Sequence, residues 1–84
     1  MSESKTINKT EGENKFWATY GHLINANNCA DWEDWPEDEW ESVSDDYDLN
    51  VWKDIEGHCH ATIYNVVDGE TDTSCWVTIF TTLN

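Results

Sequence analysis

The residues of this chain with the clearest capacity for chemistry are carboxylates concentrated in residues 31–48. Ten lie there, with no Lys or Arg among them: Asp31, Glu33, Asp34, Glu37, Asp38, Glu39, Glu41, Asp45, Asp46 and Asp48. Trp32, Trp35, Trp40 and Tyr47 lie between these acids. A disordered acidic tail contains few aromatic residues, because disorder accompanies low hydrophobicity. The mixture therefore predicts an anchored segment whose carboxylates are held in a fixed array.

The composition of the whole chain extends this bias. Its 84 residues include 18 Asp and Glu against four Lys and no Arg, which gives a formal net charge of −14. Repulsion at that density destabilises a compact chain, so the charge serves either solubility alone or a basic partner. It excludes nucleic acid and anionic membranes as direct ligands.

His58 and His60 suggest a second kind of chemistry, metal binding. In a strand these side chains lie on one side, ~7 Å apart, where an added carboxylate would complete a ligand set. The pattern is a lone His-x-His without a Cys-x-x-Cys pair, and histidines at the edge of a sheet explain it without a metal.

Asp46, Asp48 and Asn50 are spaced like the first ligands of a calcium-binding EF-hand loop. The pattern then fails, because Val51 occupies the position that needs Gly, and Gly57 occupies the position that needs a bidentate Glu. We therefore expect neither a bound metal nor another cofactor.

Catalysis requires one carboxylate that burial or a partner sets apart from the rest. Here the carboxylates are too numerous for any one to stand out. The chain also contains no Gly-x-Ser-x-Gly, P-loop or His-Glu-x-x-His motif. We predict that the protein is not an enzyme.

The cysteines indicate the compartment. Cys29, Cys59 and Cys75 are an odd number and lack the spacing of a disulfide framework. The sequence shows neither an apolar run of membrane-spanning length nor a secretory signal. These features predict a reduced, cytoplasmic protein.

The segment that should position the carboxylates is a helix. Asp34, Pro36 and Glu37 suit a helix start, and Trp40 opens an apolar face at helical spacing. We predict a short acidic helix over residues 36–44 with Trp40 in the core.

The segments around this helix are predicted from their periodicity. Residues 1–14 are polar and aperiodic, which predicts a disordered tail, and residues 15–24 alternate like a first strand. Residues 49–56 fit either strand alternation or one helical turn ended by Gly57, and we favour the strand.

The C-terminal third contains a hairpin signal. Residues 58–67 and 73–83 are rich in β-branched and aromatic residues, and they flank either a two-residue loop at Asp68-Gly69 or a four-residue loop that begins at Gly69. With either loop, strand alternation places Tyr64 on the side of Val77 and Ile63 on the side of Trp76.

The complete pattern predicts an α+β fold. We expect a small single domain over residues 15–84, with an antiparallel sheet of three or four strands, one short acidic helix and the disordered tail. At 84 residues we expect no second independent core.

The predicted helix would present a linear array of negative charge. Duplex DNA carries one charge per ~1.7 Å of axis, and an α-helix rises ~1.5 Å per residue. Acids at more than half of the helical positions would therefore approach the charge density of DNA and compete for a nucleic-acid channel. Trp32 and Trp35 would add contact aromatics of the kind found at interface hot spots.

Residues 14–19, Asn-Lys-Phe-Trp-Ala-Thr after a polar tail, resemble the corresponding opening of the small phage-encoded inhibitors of bacterial RNA polymerase. In charge and size the chain is also similar to the small acidic proteins of phages and mobile elements that mimic DNA or block host nucleic-acid-binding proteins. The resemblance implies a bacterial host cytoplasm as the place of action.

These observations lead to one expected function and two alternatives. We expect a DNA-mimic-type inhibitor that binds the basic nucleic-acid-binding surface of a host protein through the ten carboxylates, Trp32 and Trp35. The first alternative is an immunity protein or antitoxin that neutralises a basic nuclease toxin. The second is a metal-binding domain that uses His58 and His60. A homodimer through one face of the sheet is a further expectation.

Overall fold

The computed structural model describes residues 9–27 and 29–82, and in this part of the chain one α-helix packs on one antiparallel sheet. The sheet has the strand order β1-β2-β3-β4, so each strand pairs with its neighbour in the chain. The predicted α+β class, with its antiparallel sheet, is confirmed. The elements are α1 (Lys9–Tyr20), a 3₁₀ turn (Gly21–Leu23), β1 (Asp38–Ser42), β2 (Tyr47–Lys53), β3 (Cys59–Val67) and β4 (Glu70–Thr81).

Helix α1 corrects two predictions. It replaces the end of the predicted tail and, together with the 3₁₀ turn, the predicted strand over residues 15–24. Residues 1–8 of that tail lie outside the described residues. Gly12, Phe16 and Tyr20 recur every four residues and are the buried positions of α1. A four-residue spacing puts side chains on one helical face, so burial of that face outweighs the strand preference of aromatic residues.

The core lies between α1 and the sheet. Leu49, Val51, Ala61 and Ile63 of the two central strands are fully buried. A glycine in the helix allows the close approach, because a Cβ at Gly12 would collide with the side chain of Ile63. Four aromatic rings complete the core, with 5.7–6.3 Å between neighbouring centroids: Phe16, Tyr20, Trp35 and Phe80.

The predicted acidic helix over residues 36–44 is wrong, because β1 occupies this segment as an edge strand beside β2. Like charges four residues apart destabilise a helix, and Glu37, Glu41 and Asp45 have that spacing without a compensating cation. In a strand, side chains on one side are ~7 Å apart and the charges are better separated. Strand pairing with β2 therefore outweighs the helical pattern.

The roles of two tryptophans are reversed from the prediction. Trp35 was expected at the partner interface, but it is only 2% exposed, and its indole N–H donates to the carbonyl oxygen of Trp52 at 2.9 Å. Trp40 was expected in the core, but it is 48% exposed. Because β1 turns Glu39 and Glu41 towards α1, strand alternation turns Trp40 to the opposite side.

Strand β2 and the hairpin were predicted correctly in type. Residues 49–56 do contain a strand, although β2 begins and ends earlier than predicted. The hairpin has the two-residue loop, since Val67 pairs with Glu70 across Asp68-Gly69. Both loop residues have positive φ, 53° and 80°, as a twisted two-residue hairpin loop requires.

The predicted faces of the hairpin are wrong in its middle. Register shifts occur between Ala61 and Thr62 and between Tyr64 and Asn65. Tyr64 consequently lies opposite Trp76, and Ile63 opposite Val77. Between the pairs Asn65–Asp72 and Tyr64–Trp76, β4 contains three residues without a partner in β3. A shift by an odd number of residues moves side chains to the other face of a sheet, so this irregularity places Trp76 on the side away from α1.

Candidate partner-binding surface

The sheet has one face covered by α1 and one face turned away from it, which we call the open face. Residues directly opposite each other in paired strands project to the same side. The pairing of Trp40 with Asn50, Thr62 and Thr78 traces one row across the open face. Its members are Asp38, Trp40 and Ser42 of β1, Asp48, Asn50 and Trp52 of β2, His60, Thr62 and Tyr64 of β3, and Trp76, Thr78 and Thr81 of β4.

Aromatic side chains dominate this face. Trp40 is 48% exposed and Trp76 is 55% exposed, while Tyr64 is half-buried. The rings of Trp40 and Tyr64 approach to 5.2 Å between centroids, at 42° to each other. Opposite Trp40, the buried amide of Asn50 donates to the Asp38 carboxylate at 2.7 Å. A hydrogen-bonded pair, Asn50 and Asp38, therefore lies beside Trp40 on the open face.

We call the ten carboxylates of residues 31–48 the acidic edge, after the edge strand β1 that lies within this segment. Nine of them occupy β1, the segment that leads into it and the turn that follows it, and the tenth, Asp48, lies in β2. Glu41 and Asp48 are half-buried. The other eight are exposed: Asp31, Glu33, Asp34, Glu37, Asp38, Glu39, Asp45 and Asp46. Most of the predicted carboxylates are thus at the surface, but they follow an edge strand and its flanking segments instead of one face of a helix.

Two carboxylates of the acidic edge join β1 to α1. The Tyr20 hydroxyl donates to Oε1 of Glu39 at 3.0 Å, and Oε2 of Glu41 lies 3.4 Å away. Burial and the neighbouring Glu39 and Glu41 carboxylates raise the pKa of Tyr20 above its usual range, with burial the largest cause. The phenol therefore keeps its proton and holds both acids on the helical side of β1.

Two more carboxylates have partners within the sheet. Asp38 accepts the hydrogen bond from Asn50, and Asp48 accepts one from the Thr71 hydroxyl at 2.7 Å. The strand carboxylates therefore help to hold the sheet together. Those in the flanking loops, including Glu33, are exposed.

Within residues 31–48, Trp32 is exposed as well as Trp40. It is 51% exposed, and the Lys53 ammonium lies 4.3 Å from the centre of its ring. The same ammonium donates to the Trp32 carbonyl oxygen at 3.0 Å. The predicted contact residue is thus at the surface, with a cation of the chain itself over one ring.

Asp54 organises the turn between β2 and β3, where the metal alternative was placed. Its Oδ1 accepts hydrogen bonds from the backbone N–H groups of Glu56 and His58, each at 2.9 Å. Its Oδ2 lies 3.0 Å from Nε2 of His60 and 3.4 Å from Nδ1 of His58. The hydrogen bond with His60, helped by the two backbone donors, lowers the pKa of Asp54 to about 2.

His58 and His60 have different surroundings. The Thr81 hydroxyl is 3.0 Å from Nδ1 of His60, and the ring stacks on Trp52 with 4.1 Å between centroids. His58, in contrast, joins Asp54 and Glu56 in a group whose ligand-type atoms lie within 4.8 Å of one another. His60 therefore belongs to a structural network, while His58 faces two carboxylates.

Sequence reasoning missed Tyr64 and Trp76 as surface residues. The alternation of His60, Thr62 and Tyr64 indicated a shared face, but the register shifts in the hairpin hid the place of Trp76 on it. Within the described residues, no helix is long and apolar enough to cross a membrane. Comparison with protein-family models, curated proteins and solved structures finds no match to this chain.

Proposed function

We propose that this protein is a DNA-mimic-type inhibitor, which binds the basic nucleic-acid-binding surface of a host protein and blocks it. Such a target would be an RNA polymerase, a nuclease complex or a nucleoid protein. The observation that supports this proposal most is the acidic edge, where eight carboxylates are exposed in a stretch without Lys or Arg. Potentials of one sign over a surface accelerate encounter with a surface of the opposite sign.

The spacing of the charges is compatible with mimicry. Glu39 and Glu41, on the helical side of β1, are ~7 Å apart, whereas phosphates follow each other every ~3.4 Å of axis along one DNA strand. β1 alone therefore has about half the linear charge density of one DNA strand. Further negative charge comes from the carboxylates of residues 31–37, before β1 in the chain, and from Asp45 and Asp46, after it.

Charged residues on an edge strand can serve only to prevent aggregation, but that role would need fewer acids than this segment contains. Edge strands commonly carry charged residues that prevent pairing with another sheet. One or two charges within β1 would serve that purpose, yet the acids continue through both flanking segments. The excess supports a role in binding.

The test is capture from a bacterial lysate with two matched variants. One carries Glu33→Gln, Asp34→Asn, Glu37→Gln and Asp45→Asn in the acidic edge. The other removes the same number of exposed or half-buried charges elsewhere, through Glu13→Gln, Glu56→Gln, Asp68→Asn and Glu70→Gln. The wild type and the second variant should capture a nucleic-acid-binding protein, and the first should not.

Affinity and salt dependence give the quantitative outcome. Four exposed ion pairs at roughly 0.5 kcal/mol each correspond to a ~30-fold weaker complex for the acidic-edge variant. The affinity for the target should fall steeply between about 50 mM and about 200 mM salt. At low salt, the bound inhibitor should displace nucleic acid from the target. Equal capture by both variants, or salt-independent affinity, would contradict mimicry. Capture of a nuclease toxin would identify an immunity protein or antitoxin instead.

A further inference from the structure

Trp40, Tyr64 and Trp76 lie together on the open face, and we call them the aromatic patch; Trp52, on the same face, stacks on His60 instead. The indoles of Trp40 and Trp76 are 48% and 55% exposed, whereas that of Trp35 is buried in the core. Exposed apolar surface that is contiguous and bordered by polar residues is typical of interaction sites. Binding of a ligand over the patch would therefore be favourable, because it would remove this apolar surface from water.

Carboxylates border the patch. Asp38 lies two residues from Trp40 on the same side of β1, a separation of ~7 Å. Asp48 lies opposite Ser42 and is the diagonal neighbour of Trp40, ~7–8 Å away. Tyr64 lies opposite Asp48 on β3. The aromatic patch and the acidic edge are thus continuous through β1.

Charge decides which ligand fits this face. A sheet with exposed aromatic residues can stack nucleic-acid bases, but a protein of net charge −14 repels phosphates. A second copy of the chain would bring two such charges together. A planar cation fits both features, because guanidinium groups stack on indole and phenol rings and donate hydrogen bonds to carboxylates.

We propose that the aromatic patch binds arginine side chains of the basic partner, with Trp40 and Trp76 as the stacking surfaces. This inference rests on the proposed function and names the chemistry that the partner must present. Arg is favoured over Lys, because the ammonium group is strongly hydrated and has no flat face. The acidic edge supplies attraction towards any cation, and the patch supplies the preference for arginine.

The experiment compares two ten-residue peptides, in which glycine alternates with five arginines in one and with five lysines in the other. Titration calorimetry with the full chain measures both affinities. The arginine peptide should bind about three- to tenfold more tightly, the gain expected from one or two exposed cation–π contacts. The variant with Trp40→Thr and Trp76→Thr should lose this preference, and threonine is chosen because it suits a strand.

Two controls separate the patch from general effects. Trp17→Gln changes an indole that is 46% exposed on α1, outside the open face, and should keep the preference. The acidic-edge variant should bind both peptides more weakly by the same factor. The comparison of peptides on the wild type needs no substitution, so it stands even if the Trp40→Thr, Trp76→Thr variant does not fold.

The outcomes distinguish this inference from the proposed function. Equal affinity for the two peptides, or a preference kept by the folded Trp40→Thr, Trp76→Thr variant, would overturn the role of the aromatic patch alone. Failure of the wild type to bind either peptide would overturn the proposed function together with it. A preference for arginine that depends on both tryptophans would support the inference.

Discussion

Tyr20 connects the acid-rich strand to the rest of the molecule. Its hydroxyl donates to Glu39, with Glu41 close by, and burial and these charges raise its pKa. Two carboxylates that would otherwise repel each other along β1 therefore share a neutral donor. A residue of α1 thus fixes the orientation of the strand that carries the acidic edge.

Replacing Tyr20 with Phe should lower the free energy of unfolding at neutral pH by about 1–3 kcal/mol, the cost of leaving a charged acceptor without its donor. The difference from wild type should shrink above about pH 10, the pKa of an unfolded tyrosine. There the unfolded chain releases the Tyr20 proton while the folded chain retains it, so wild-type stability falls as pH rises. Urea unfolding between about pH 8 and about pH 11 measures this.

Glu39→Gln is the companion variant. It removes the main acceptor charge but leaves the phenol buried, and burial is the larger cause of the raised pKa. It should therefore keep most of the alkaline loss of stability. A difference between wild type and Tyr20→Phe that stays constant with pH would contradict the role assigned to this phenol.

The packing of α1 on the sheet depends on the absence of a side chain at one position. Gly12 faces Ile63 of β3, and a Cβ there would come too close to three atoms of that side chain. Helix propensity alone favours alanine at this position by ~1 kcal/mol. The close contact and the propensity therefore act in opposite directions.

Gly12→Ala should destabilise the protein, because overpacking a core costs ~1–3 kcal/mol and outweighs the gain in propensity. Asn14→Ala, at an exposed position of the same helix, should stabilise it by a few tenths to about 0.7 kcal/mol. Thermal or urea unfolding of both variants measures the two signs. Stabilisation by both would show that α1 does not approach β3 as closely as described.

The large negative net charge of the protein lowers the stability of its folded state. The described residues have a radius of gyration of 13.2 Å, and the whole chain has a net charge of −14, so its charges repel one another at low salt. The Debye length falls from ~30 Å at 0.01 M to ~3 Å at 1 M salt. The same screening that weakens a complex with a basic partner should stabilise the free protein.

The melting temperature should therefore rise by several degrees between about 0.01 M and about 0.5 M NaCl, as 1–2 kcal/mol of relieved repulsion would produce in a domain of this size. The acidic-edge variant with four fewer charges should show a smaller rise and a higher starting value at low salt. Calorimetry measures both. A melting temperature that does not change with salt would mean that repulsion among the acids is negligible.

The fold class, β2 and the β3–β4 hairpin could be predicted from the sequence because their signals are local. Asp68-Gly69 suits the positive φ angles of a two-residue loop, and the flanking residues favour strands whatever lies beside them. The acidic edge was equally predictable as a set of residues. Its charges are a matter of composition, and most charged side chains stay at the surface in any fold.

The tertiary structure decided the conformation of the acidic segment and the burial of each tryptophan. Residues 36–44 satisfied a helical pattern, but β2 supplied a hydrogen-bonding edge that separates the like charges better. Trp35 and Trp40 have similar sequence surroundings, yet only Trp35 meets Phe16 and Phe80, which come from opposite ends of the chain. Burial depends on such distant partners and on register shifts in the sheet, and neither leaves a periodic signal in the sequence.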